Sequence, residues 1–127
     1  MKNEFDGYVV VGDRVSRQYP DGWELVAYLV ADEDTRPTDF DCYEPEDIEL
    51  WEQGEWSYMG LVIAVYRHGV MLDPYAASVW GVDCNFPVPI NSTYSTSKHL
   101  SELFDEMEEE ALQRGRDILK ILVNGKE

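Results

Sequence analysis

Trp56-Ser57-Tyr58-Met59-Gly60-Leu61-Val62-Ile63-Ala64-Val65-Tyr66 decides the fold, because it is apolar on both of its alternating sets. Met59, Leu61, Ile63 and Val65 make one set; Trp56, Tyr58, Val62 and Ala64 make the other. A strand with one wet face alternates apolar with polar, so this run predicts a central strand covered on both sides. His68-Gly69 then permits a tight reversal, and Val70 to Asp83 is expected to return antiparallel, interrupted near Asp73-Pro74. Upstream, the turn signal Tyr19-Pro20-Asp21-Gly22 launches a further strand, Trp23 to Val30, rich in branched and aromatic residues. Tyr8 to Val11 reads as a short edge strand, and Asp32 to Asp41 as an exposed acidic loop.

Two helices complete the pattern. Pro45 suits a first helical position, Glu46 and Asp47 complement the positive end of the helix dipole, and Gly54 is placed to end the segment. Ile48 and Trp51 share a face, which is expected to anchor this short helix to the sheet. Asn85 to Thr96, with Pro87, Pro89 and a Ser/Thr cluster, reads as a loop. From Ser97 the period changes: Leu100, Phe104, Met107, Ala111, Ile118 and Leu122 recur at helical spacing, and Leu103 widens the stripe. The prediction is an α+β fold in a single domain, 1–127: an antiparallel sheet with strands near 23–30, 56–66 and 76–83, a short helix, and a long C-terminal amphipathic helix over about 97–122 packed on it. Leu103, Phe104, Met107 and Ala111 should meet the sheet, while Glu102, Asp105, Glu106 and Glu109 face water. Trp51, Trp56 and Trp80 are expected to pack in the interior.

Charge is the other informative feature. The chain has 127 residues and a formal charge of -16, from 26 acidic and 10 basic side chains. No Lys or Arg occurs between Arg36 and Arg67, where Asp39, Asp41, Glu44, Glu46, Asp47, Glu49, Glu52 and Glu55 crowd together. Glu102, Asp105, Glu106, Glu108, Glu109 and Glu110 make a second acidic block. So few dispersed cations give no phosphate-neutralising patch, which argues against direct nucleic-acid binding. A hydrophobic content of 44 % with 13 % aromatics argues against disorder. The first six residues lack the basic segment and apolar run of a signal peptide, and no stretch reaches membrane-spanning length, so the expectation is a cytoplasmic protein.

Motifs for chemistry fail on their spacing. A calcium loop beginning at Asp32 would put Arg36 where an oxygen ligand is needed and Pro37 where glycine is needed. His68 and His99 stand outside any metal motif, Ser78 lacks the glycines of a nucleophile elbow, and no glycine-rich phosphate loop occurs. Asn91-Ser92-Thr93 is a sequon of consequence only in a secreted protein. Cys42 and Cys84 are expected as two reduced, buried thiols. The chain is therefore read as no enzyme, with no catalytic residue, cofactor or metal.

Three tracts resemble a family of small uncharacterised proteins of bacteriophages and bacterial mobile elements. They are Asp39-Phe40-Asp41-Cys42-Tyr43-Glu44-Pro45-Glu46-Asp47-Ile48, Glu55-Trp56-Ser57-Tyr58-Met59-Gly60-Leu61-Val62 and Ala77-Ser78-Val79-Trp80-Gly81-Val82. The family's Ala-Ser-Leu-Trp-Gly-Ile tract precedes an acidic C-terminal helix similar to Leu103 through Leu112 here, and the likeness runs over about Trp23 to Leu122. Val79 and Val82 replace the usual Leu and Ile, and Phe86 to Ser97 is longer than the usual link. The resemblance implies no active site. With the charge pattern it implies a small acidic protein that binds a basic host or phage protein, as a nucleic-acid mimic or anti-defence inhibitor, through Glu46, Glu49, Glu52, Glu102, Asp105, Glu106 and Glu109. The alternative is a structural or accessory phage protein that self-associates as a homo-oligomer through residues such as Trp23 or Tyr75.

Overall fold

The computed structural model describes residues 4–5, 9–86 and 96–124. Its strands are β1 (Arg14–Gln18), β2 (Trp23–Ala31), β3 (Ser57–Arg67) and β4 (Val70–Cys84), all antiparallel in the order β1-β2-β3-β4. The helices are α1 (Pro45–Glu52) and α2 (Thr96–Asn124), with 3-10 turns at Pro20–Gly22 and Pro37–Asp39. This is the α+β arrangement expected: two helices and an antiparallel sheet, with the long helix at the end of the chain.

Local chemistry accounts for the joints. His68 and Gly69 both take positive φ, 51° and 81°, as a two-residue hairpin turn requires, so Arg67 pairs directly with Val70. Asp47 accepts the N–H of Glu44 at 3.0 Å and so caps α1, with Pro45 in its first turn. At its far end Gly54 sits at φ 84° while Glu55 N–H reaches back to Leu50 C=O at 2.9 Å. Asp73-Pro74 does not break β4 in two; the register instead shifts opposite Ile63 to Tyr66, and again opposite Met59 to Leu61. Irregular pairing of this kind blunts a long edge strand.

The edge strand lies at Arg14–Gln18 rather than Tyr8–Val11. Tyr8 is outside the described residues, and Val9 is committed elsewhere: its N–H donates to Asn85 Oδ1 at 3.0 Å and its C=O accepts Asn85 Nδ2 at 2.9 Å. A side chain thus supplies the bonds a neighbouring strand would have made. Most of the loop expected over Asn85 to Thr96, including the sequon and the lengthened link, also falls outside the described residues; Thr96 already belongs to α2.

α2 lies across one face of the sheet. Leu100, Phe104, Met107 and Ala111 are buried against Leu25, Ala27 and Leu29 of β2 and Met59, Leu61, Ile63 and Val65 of β3, with Leu103 partly buried beside them. Gly115 lets the helix settle close: a Cβ there would stand 2.6 Å from Trp23 Cζ3 and 2.7 Å from Val65 Cγ2. Gly to Ala inside a helix ordinarily gains about 0.5–1 kcal/mol. Gly115→Ala should instead lose about 1–3 kcal/mol in denaturant unfolding, because two packed side chains must shift; a gain in stability would show that the helix stands farther off.

Among the described residues no long helix lies on the opposite face, yet Val62 and Ala64 are buried there. Trp80, expected in the interior, is 51 % exposed, its indole lying flat on Gly60, where a Cβ would come within 2.4 Å of the ring. Gly60 supplies a floor and nothing among the described residues fully covers the ring, so this aromatic beside a long apolar strand stands at the surface. Trp56 is buried as expected, and Trp51 is half-buried. Ile48 and Trp51 bury nothing fully; α1 is held from behind, by the Trp56 indole N–H donating to Asp47 C=O at 2.9 Å.

Candidate functional site

α2 is tied to the sheet along both edges before it presents anything to solvent. On the β1 side, Arg17 bonds Glu4 at 2.7 Å, Asp105 at 2.8 Å and Glu108 at 2.9 Å, with its guanidinium 3.9 Å from the centroid of the Phe104 ring. The Tyr19 hydroxyl adds a 2.5 Å bond to Glu108, and burial together with that bond raises its pKa well above the usual tyrosine value. Near β4's bend, Arg114 reaches Asp73 at 2.9 Å. That bond is the main cause of Asp73's lowered pKa.

With those carboxylates engaged, the outward ridge of α2 resolves into distinct members. Glu102, Asp105, Glu106 and Glu109 are all exposed, as the helical period predicts. Asp105 is held by Arg17 and Glu109 by Arg116, at 2.5 Å. Glu102, Glu106 and Glu110 are exposed and make no ion pair among the described residues. They stand four residues apart, about 6 Å along the helix axis per step.

The acids of α1 make a separate patch. Glu46, Glu49 and Glu52 are exposed, spaced three apart. Their helix belongs to the other side of the sheet, because it is fixed through Trp56, whose ring meets Tyr58, and both alternate away from the set facing α2. The seven acidic positions named from the sequence therefore lie on two separate surfaces, one for each acidic stretch.

Just ahead of α1 lies a partly buried polar group. Tyr43 stacks on Trp56 at 5.2 Å between centroids and meets Phe86 edge-on at 5.3 Å, and its hydroxyl donates to Asp83 at 3.0 Å. The Tyr58 hydroxyl is buried beside it without a well-formed hydrogen bond. Burial pushes the Asp83 pKa up; the Tyr43 bond and the nearby His99 pull it partly back. A carboxyl with a raised folded pKa contributes stability below its unfolded pKa and loses it as pH rises through the folded value. Asp83→Asn keeps an acceptor for Tyr43 and removes the desolvated charge. Unfolding followed from acid to neutral pH should show the variant gaining on the wild type as pH rises; a constant difference would mean that Asp83 is not desolvated.

The remaining candidates are structural. Asp32 accepts from the Thr35 hydroxyl and the Gly81 N–H, each at 2.8 Å, and from Asp34 N–H at 3.1 Å. Burial alone would raise its pKa, but these bonds leave it lowered. The carboxylate that would have begun a calcium loop instead pins the acidic loop to β4. Cys84 is buried and its thiol is pushed up to about 12 by burial; Cys42, expected inside, is exposed. Among the described residues no group of three or more His, Cys, Asp or Glu converges as for a metal ion.

Sequence reading missed Arg17 and the open aromatic face. Arg17 gave no local signal, since its partners on α2 lie 88 and 91 residues away. The face had one: Gly60 in an otherwise bulky strand marks close approach by something, here Trp80. Comparison with known proteins found no matching family model, no curated protein and no solved structure. Among the described residues no helix is long and apolar enough to cross a membrane.

Proposed function

We propose that this chain is a small binding protein without catalytic activity, of the phage or mobile-element kind, acting in the cytoplasm on a basic protein through the outer ridge of α2. The observation that carries the reading is the row Glu102, Glu106 and Glu110, exposed and unengaged by any ion pair among the described residues. The row sits on a helix whose other side is fixed in the core. Carboxylates repeated at about 6 Å on a rigid rod offer a basic protein a graded negative surface like a run of phosphates. Rigidity lowers the entropic cost of meeting the partner, and the field of a -16 chain steers the encounter. The patch at Glu46, Glu49 and Glu52 faces away and would serve a second contact. Affinity capture from host lysate at low and high salt, read by mass spectrometry, tests the reading: basic proteins should be retained at low salt and lost at high salt.

One observation favours self-association as a second reading. Tyr75 is 64 % exposed and Trp80 51 %, with Met71 nearly as open, on the sheet face away from α2. Trp23 is not part of this patch, since it lies on the α2 face and is only 8 % exposed. Salt separates the readings, since screening weakens an acidic contact and strengthens one between two copies of a -16 chain.

A further inference from the structure

Three of the chain's ten basic residues gather around one groove. Arg67 at the end of β3 and Arg116 and Lys120 on the last turns of α2 line a hollow of about 420 Å³, together with Trp23, Leu119, Val123 and Asp21. The groove is open along its length, so a ligand would lie against its wall with one side in water. A chain with 26 acids to 10 bases here sets three cations against two acids, Asp21 in the lining and Glu109 paired with Arg116.

The donors are arranged as well as gathered. Arg67 gives its Nε–H to Asp21 C=O at 2.6 Å and lies over the Trp23 ring, 4.8 Å from its centroid. Those two contacts fix its plane and leave its terminal nitrogens without an acceptor among the described residues. Arg116 spends Nε and Nη2 on Gln113 and Glu109, and among the described residues no hydrogen bond or ion pair engages Lys120. Cations on a helix's last turn ordinarily offset its dipole. Dipole compensation explains neither Arg67, which comes from the sheet, nor the apolar wall of Trp23, Leu119 and Val123 beside it. The acidic ridge reaches the site at one point, where Glu109 pairs Arg116 at 2.5 Å, which leaves Arg67 and Lys120 as the groove's cations without an ion pair among the described residues. Glu110 is ten residues from Lys120, about 15 Å along the axis, beyond the roughly 8 Å over which charge persists at physiological salt.

We infer that this groove binds a small organic anion: a carboxylate or phosphate-ester head held by Arg67, Arg116 and Lys120, on an aromatic or branched aliphatic body lying against Trp23, Leu119 and Val123. It is a site distinct from the acidic ridge and does not depend on the ridge having a partner.

The test uses an isosteric pair on the full chain, 2-naphthoate and the neutral 2-naphthamide, with sulfate alone as a third arm. Binding is followed by ¹H–¹⁵N spectra at the Trp23 indole N–H and the Arg67 and Arg116 Nε–H. The expected result is saturable shifts at these signals with naphthoate, at least tenfold weaker binding of naphthamide and of sulfate, and at least tenfold loss of naphthoate affinity in Lys120→Glu. Lys120 is exposed, so the variant should melt with the wild type. Equal binding of naphthamide would reduce the groove to an apolar hollow, and equal binding of sulfate would reduce it to a charge cluster. Shifts at Trp80 in place of Trp23 would put the ligand on the wrong face. Each of these three results, or the absence of saturable shifts, overturns the proposal.

Discussion

Phe104→Ala is expected to lower the free energy of unfolding by about 3–5 kcal/mol, the range for removing a large aromatic from a packed interior. Phe104 is fully buried between α2 and the sheet, and its ring also carries the Arg17 guanidinium at 3.9 Å. The truncation therefore leaves a cavity and takes the platform from under the cation that binds Glu4, Asp105 and Glu108. Equilibrium denaturation in urea measures it. A loss below about 1 kcal/mol would mean that α2 does not seat on the sheet as described, since even partial collapse of such a site costs more.

Arg17→Met should be the next most damaging change. The Arg17 side chain is only 15 % exposed and Glu4 16 %, so removing the cation strands a partly desolvated carboxylate beside two others. Breaking a fully buried pair costs about 3–5 kcal/mol; the exposure of Asp105 and Glu108 brings the expectation down to about 2–3 kcal/mol. Arg17→Lys should recover only part, because a single ammonium cannot serve three carboxylates as a planar fork does. Thermal unfolding of both variants checks this. A lysine variant as stable as the wild type would show that charge alone, without the fork geometry, holds the junction.

These two residues also mark what the sequence could and could not convey. Phe104 was legible because helical periodicity places Leu100, Phe104, Met107 and Ala111 on one side, and the sheet offered an apolar set to receive them. β3 was legible for the same reason, as was the hairpin at His68-Gly69, whose backbone chemistry is local. The contents of the second layer were not. A strand apolar on both sides says that both are covered, but on the far side it is the Trp80 ring of the neighbouring strand that covers Gly60, and Trp80 stands half in water. Val9 and Asn85 show the same limit: a side chain 76 residues away takes the backbone bonds that a local reading assigned to a strand. The candidate site was half legible. Periodicity identified the outward acids of α2, whereas which of them remain unengaged depended on where Arg17 and Arg116 came to lie.

Capture with a charge-reversed protein tests the central claim most directly. Glu102→Lys, Glu106→Lys and Glu110→Lys together reverse the three carboxylates that make no ion pair among the described residues and leave the Arg17 and Arg116 pairs in place. Circular dichroism should show the helix content and melting of the wild type, because those side chains point outward. Electrostatic steering changes association by about 10- to 1,000-fold. Basic proteins retained by the wild type at low salt should accordingly fall by at least roughly tenfold in recovery with the folded triple variant; undiminished recovery of the same proteins would contradict binding through the α2 ridge.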